Sequence, residues 1–226
     1  MSDLQSLLGA LQHADSFFPG GGVAFSGGLE TLHADREVRS ARQLAEFVEG
    51  QLQHRWASCD ASALVSAHRA AGSLERIAEV DAMFDAMTLA TELREGSKRA
   101  GTSLLTVHAK LGTVGTAEYR ALIAGNKAFG HLPVVQGLVW SATGMTENDS
   151  RAVSAHTLCT GLIGAALRLG MIGHLDAQKI LLSVRPVLAK LLQLPVPDVE
   201  AMCAYMPATE IAAMRHEVQD GRLFAS

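Results

Sequence analysis

Apolar residues in this chain recur at intervals of three and four, and that spacing sets the elements it predicts. Leu4, Leu7, Leu8 and Leu11 trace one face of a short first helix, which the Pro19, Gly20, Gly21, Gly22 cluster must stop. Ser40 followed by Gln43 is a capping-box start, and Leu44, Phe47, Val48, Leu52 and Trp56 then share one helical face. Ser73 caps a helix carrying Ile77, Val80, Phe84 and Met87. Another runs from about Thr91 through Leu93, Ala100, Leu104, Val107 and Leu111, to be ended by Gly112 and Gly115. Helices over Thr116 to Asn126 and Val134 to Thr143 flank a turn at Gly130, His131, Leu132 and Pro133. From Asp149 to Leu169 small residues dominate, as suits a central helix approached closely by others. Asp176 opens a helix through Ile180, Leu181 and Val184, with Pro186 kinking it and Pro195 and Pro197 ending it.

Runs of β-branched residues, the mark of strands, are nearly absent, so the fold class is all-α. No linker or repeat divides the chain, which predicts one globular helical-bundle domain over 1–206 and a short C-terminal tail, 207–226, for docking a partner. The 226 residues are 48% hydrophobic and 19% charged, a globular composition. A net charge of -4 gives no attraction to phosphate backbones, which argues against a nucleic-acid partner. The longest apolar stretch, Leu158 to Gly173, is broken by Arg168, so no membrane span is expected. The opening MSDLQSLLGALQHADS lacks the basic segment and apolar block of a secretory signal and predicts a cytoplasmic protein. Cys59, Cys159 and Cys203 are far apart and are expected as reduced core thiols.

Local motifs for chemistry are sparse. Ala24, Phe25, Ser26, Gly27 and Gly28 approach the nucleophile turn Gly-x-Ser-x-Gly, but the first glycine and the preceding strand are missing. Gly20, Gly21 and Gly22 lack the Lys and Ser or Thr that complete a phosphate loop. Of nine histidines no two stand three or four apart, so no metal site and no cofactor is expected. Glu92, Arg94, Glu95, Lys98 and Arg99 form a charged helical patch whose plain reading is a solvated face. Arg168 interrupts an apolar, small-residue helix, so its guanidinium must snorkel, pair or meet a partner.

Several segments together resemble the UreF family of urease accessory proteins. LLGALQHADSFFPGGGVAFSGGLE, from Leu7 to Glu30, is similar to the family's leucine-rich helix, Pro-x-Gly-Gly turn and Gly-Leu-Glu. ELREGSKRAGTSLL from Glu92, GHLPVVQG from Gly130 and AALRLGMIGHLDAQ from Ala165 resemble its charged helix, its His-x-Pro segment and its apolar helix with a basic residue, here Arg168. The ending RHEVQDGRLFAS, from Arg215 to Ser226, resembles the Arg-Leu-Phe-x-Ser that closes many members. Phe25 and His174 depart from the family's usual residues.

The resemblance implies an all-helical homodimer without enzymatic activity. It implies a scaffold that, with UreD (also called UreH), recruits and regulates the GTPase UreG so that nickel reaches apo-urease. Glu30, Glu92, Glu95 and Arg168 are the residues it implies on the UreG side, and His216, Glu217, Arg222, Leu223 and Phe224 those of a tail that docks on UreD. Arg222, Leu223 and Phe224 combine a basic group with apolar anchors of the kind interfaces bury, on a terminus expected to be mobile when free. The alternatives are a metallochaperone that carries nickel through scattered His, Asp and Glu, and a serine hydrolase using Ser26.

Overall fold

A computed structural model describes residues 3–20, 25–219 and 221–224. Gly21 and Gly22 of the expected turn, Ala24 of the serine motif and the ends of the tail lie outside the described residues. The helices are α1 (Asp3–Ala14), α2 (Leu29–Ala34), α3 (Ala41–Gln51), α4 (Ala61–Arg69), α5 (Leu74–Met87), α6 (Thr91–Lys110), α7 (Thr116–Ala124), α8 (Leu132–Ala142), α9 (Glu147–Arg168), α10 (His174–Gln193) and α11 (Pro207–His216). A π-helical segment, Leu52–Asp60, joins α3 to α4, and a 3₁₀ turn spans Val199–Ala201. Among the described residues there is no strand, as the all-α reading requires.

Caps start the helices where the pattern places them. Ser40 Oγ accepts from the Gln43 amide at 3.3 Å, and Gln43 Oε1 reaches back to the Arg39 amide at 3.1 Å. Ser73 Oγ accepts from the Arg76 amide at 3.4 Å. The small-residue helix starts slightly earlier than expected, at Glu147, because Thr146 caps it, accepting from the Asp149 amide at 3.1 Å. α10 likewise starts at His174 and runs unbroken through Pro186.

The apolar faces gather into two cores. One collects Leu29, Leu44, Phe47, Leu52, Trp56, Leu162, Ile163, Ile180 and Phe224, from α2, α3, the π segment, α9, α10 and the C-terminal segment that follows α11. The other collects Leu64, Ile77, Phe84, Leu105, Val135, Val139 and Trp140, from α4, α5, α6 and α8. Each of these large side chains contributes about 1.5–3 kcal/mol by leaving water. The run from Ala41 to Arg69 passes through both cores, and its π segment lies where one gives way to the other. At that junction Trp56 Nε1 donates to Ser154 Oγ at 3.2 Å, and Ser154 Oγ donates to Gln136 Oε1 at 3.0 Å. Three buried polar groups are thereby satisfied by one another.

Three expectations change. Cys59 and Cys159 are core thiols, whereas Cys203, on the irregular stretch before α11, is exposed. The stretch expected as a free tail begins with α11, which packs on α2 and α6. α1 turns its leucines outward, with Leu4, Leu7, Leu8 and Leu11 all at least half exposed, and buries Ser6 and His13. Among the described residues no helix is long and apolar enough to cross a membrane.

His13 Nε2 lies 3.1 Å from His108 Nε2, the rings stacked with centroids 5.1 Å apart. Their outer nitrogens face Gly9 O at 2.7 Å and Thr113 Oγ1 at 2.9 Å. Two neutral rings complete this chain of bonds, and a proton on both would set two cations face to face. Burial, with His13 adding to it, pushes His108 down to about 4, and burial also lowers His13. Between that value and the ordinary 6.5 the unfolded chain binds protons that the folded chain does not, so stability falls as pH falls through this window. The urea midpoint is expected to drop between pH 6.5 and 4, and His108→Gln should flatten that drop; an equal drop in the variant would assign it elsewhere.

Candidate functional site

Ser26, Gly27 and Gly28 turn the chain into α2. Gly27 and Gly28 have φ of 59° and 84°, and a Cβ on Gly28 would stand 3.0 Å from Thr209 O. Glycine alone permits both the left-handed turn and the contact with α11. Ser26 is fully buried and its Oγ faces the Glu30 amide at 3.5 Å, so it starts a helix and presents no nucleophile to solvent. The turn points Glu30 inward against α11, where Gln51 Nε2 also donates to Thr209 Oγ1 at 3.0 Å.

His216, at the end of α11, is fully buried between two carboxylates. Its Nδ1 lies 2.6 Å from Glu92 Oε1, on the first turn of α6, and its Nε2 lies 2.9 Å from Glu30 Oε2. Glu30 also accepts from the amides of Leu223 at 2.7 Å and Phe224 at 3.1 Å. Burial alone would raise the Glu30 carboxyl, but the Leu223 amide, His216 and the Phe224 amide together hold it below its ordinary range. Arg222 Nη1 stands 3.6 Å from Glu92 Oε1, and Glu217 Oε1 accepts from the Glu92 amide at 3.2 Å. Arg168 lies over the Phe224 ring at 4.5 Å, and its Nε donates to Gly164 O at 3.2 Å. The guanidinium is therefore held against an aromatic face and a helix carbonyl, with burial lowering its pKa.

Beside this cluster a cavity of about 240 Å³ opens between α6 and the C-terminal segment, lined by Thr91, Glu92, Glu95, Arg99, Glu217 and Arg222. Glu95 pairs with Lys98 at 3.3 Å and Arg99 lies over Phe25 at 5.5 Å. Glu92 Oε2 is buried, with no hydrogen-bond partner among the described residues.

The residues expected on two separate partner faces thus meet in one place. Glu30, Glu92, His216, Glu217, Arg222, Leu223 and Phe224 are joined by direct bonds, Arg168 covers Phe224, and Glu95 lines the adjoining cavity. Phe224 is buried, whereas Leu223 is 60% exposed. Sequence reading missed Thr91 and Arg99 in the cavity, and Asp35, which receives Arg215 Nη1 at 2.6 Å and ties α11 to α2. Arg99 stood in the charged patch, but nothing in the sequence marked Asp35. Among the described residues no group of three or more His, Cys, Asp or Glu could hold a metal ion. What the cluster can do is fix a charged, partly exposed C-terminal segment against the body.

The sequence model of the UreF family matches residues 38–185, a span that contains Glu92, Glu95 and Arg168 and stops before α11. Full-length similarity reaches further. The chain is 32% identical over 232 residues to a protein of Trichodesmium erythraeum named urease accessory protein UreF, covering all of this chain and 99% of that one. It is 34% identical over 224 residues to the protein so named from Haemophilus influenzae, with 97% and 95% covered. The Actinobacillus pleuropneumoniae protein of the same name is 30% identical over 224 residues, with 97% and 99% covered.

Proposed function

The chain belongs to the UreF family of urease accessory proteins, and from that membership we propose that it is a non-enzymatic scaffold for urease maturation. In this reading it is a cytoplasmic homodimer that joins UreD (UreH) and recruits and regulates the GTPase UreG, so that nickel passes to apo-urease. The observation that carries the reading is the composite face: α6 and the C-terminal segment close one charged cavity, so a partner meets residues from both at once.

The roles divide by exposure. Glu30, Glu92 and His216 are buried and build the platform, while Glu95, Glu217, Arg222 and Leu223 remain at its surface. Arg168 supports the platform from below through Phe224. The outer face of α11 adds Ile211 and Met214, and Val218 follows at the next helical interval, giving apolar anchors beside charged groups. Interfaces of that composition are oriented by their charges and held by their apolar centres.

Two variants test this. Removing Gly221 to Ser226 takes away Arg222, Leu223 and the Phe224 seat, and should abolish co-purification with UreD while the helical circular dichroism stays intact. Glu95→Lys reverses an exposed charge outside the bonded cluster, where Glu95 meets Lys98, and should weaken UreG recruitment by about tenfold or more. Undiminished capture of both partners by both variants would remove the proposal.

A further inference from the structure

The His216 cluster has an arithmetic of its own. Each ring nitrogen faces a different carboxylate oxygen, at 2.6 and 2.9 Å, and a carboxylate only accepts. A neutral imidazole has one N–H and cannot donate to both. The two bonds coexist only when the trio His216, Glu30 and Glu92 holds one proton beyond a neutral ring and two carboxylates, wherever among the three it resides. Glu30 spends its remaining capacity on the Leu223 and Phe224 amides, so the same carboxylate holds the ring and the segment that follows it.

We propose that the docked C-terminal segment is a proton-dependent latch: seating His216 between Glu30 and Glu92 takes up one proton, and the composite face closes or opens with that proton. Lifting the segment removes Glu217 and Arg222 from the cavity they share with Thr91, Glu92, Glu95 and Arg99, so the face exists only when the latch is closed. The latch rests on the proposed function only for what that face is used for; its closing is a property of the chain alone.

The charged groups around the ring fix the direction. From α2 comes Glu30, while His33 of the same helix faces Val38 O at 2.9 Å; from α6 comes Glu92, with Glu95 and Arg99 along the cavity. The C-terminal segment supplies Glu217, bonded to the Glu92 amide, and Arg222, 3.6 Å from Glu92 Oε1. Arg215 is paired with Asp35 on the outer side, and Arg168 of α9 lies over Phe224. With the proton, the ring and Arg222 balance Glu30 and Glu92; without it, two carboxylates and the ring's lone pair are left facing one another in a buried site. Once solvent no longer protonates the open ring, closing must draw a proton from it, and docking weakens as pH rises by at most tenfold per unit. On the acid side Glu30, lowered when docked, contributes stability that is present above its ordinary 4.5 and lost as pH falls through the lowered value. Docking is therefore strongest between the two limits.

The test uses the isolated full chain. Amide hydrogen exchange at Leu223 and Phe224, which donate to Glu30, reports closure, with the Phe129 to His131 amides as an internal reference. Between pH 6 and 9 their protection relative to that reference should fall several-fold, and the ¹⁵N spectrum of the His216 ring at the low end should show both nitrogens protonated. His216→Asn should dock more weakly and lose the slope. Constant protection in the native chain, the same slope in the variant, or a ring with one bare nitrogen and ionised carboxylates while the segment stays seated would each overturn the latch; the ring spectrum decides even if the variant does not fold. Failure of partner capture with the latch intact would instead strike the proposed function.

Discussion

Alanine at Gly137 or Gly101 is expected to disrupt the stack of α4, α6 and α8 more than any change of charge on the surface. A Cβ on Gly137 would stand 2.3 Å from Leu64 O and 2.8 Å from the Ala67 Cβ. On Gly101 it would stand 2.0 Å from Gly130 O. The obstacles are largely backbone, and backbone inside a packed helix pair cannot swing aside as a side-chain end does. Each substitution should cost about 3 kcal/mol or more, which for a chain of this size lowers Tm by roughly 6–12 °C. Gly50→Ala supplies the contrast, because its Cβ would meet only the end of Met206, at 3.7 Å. There the helix preference of alanine acts alone and should stabilise by up to about 1 kcal/mol. Thermal unfolding of the three variants decides it, and equal behaviour at all three sites would contradict the close approaches.

Asp81→Asn should be nearly as damaging. Asp81 is fully buried and its Oδ2 accepts from Tyr119 Oη at 2.7 Å, Phe129 N at 2.7 Å and Gly130 N at 2.6 Å, while Oδ1 accepts from His131 N at 3.0 Å. One carboxylate thereby holds α5, α7 and the turn into α8 together. Asparagine puts an N–H₂ where one of those oxygens receives a donor, so at least one buried donor meets another. Leaving a buried donor unpaired in this way costs about 1–3 kcal/mol. The urea midpoint should fall accordingly, and a change below about 1 kcal/mol would mean that the four bonds are not holding the turn. Tyr119, raised by burial and by Asp81 beside it, keeps its phenolic proton throughout.

What the sequence makes legible here is local. Ser40, Ser73 and the 3–4 spacing of leucines fix where helices start and which residues face one way, because caps and helical faces depend on neighbours within a turn or two. They do not say what a face meets. The leucines of α1 share a face as expected, yet Ser6 and His13 hold that helix to the body, through partners at Asp149 and His108 far along the chain. Nothing in the sequence ties Glu30 to Glu92 for the same reason: the ring that joins them is 186 positions from one and 124 from the other. The likeness to a family divided these residues between two faces, and the seating of α11 on α2 and α6 brings them together. Asp81 gave no signal, since its partners are mostly backbone amides, which every residue but proline carries.

The π segment between α3 and α4 ties length to orientation. Within it the Ala61 amide reaches back to Trp56 O, five residues away, where an α-helix would reach four. A residue accommodated in this way rotates everything beyond it by about 100° relative to an uninterrupted α-helix, and that offset lets Trp56 face one core while Leu64 faces the other. Regular α winding of 52–60 with every residue kept would leave a helix with sound propensity, but Ala63, Leu64 and Ala67 would turn off α8. The two cores are keyed to each other by a residue count: one residue fewer, wound as plain α-helix, would keep both faces in place, whereas one residue more, which a surface loop would absorb, would here turn half the protein.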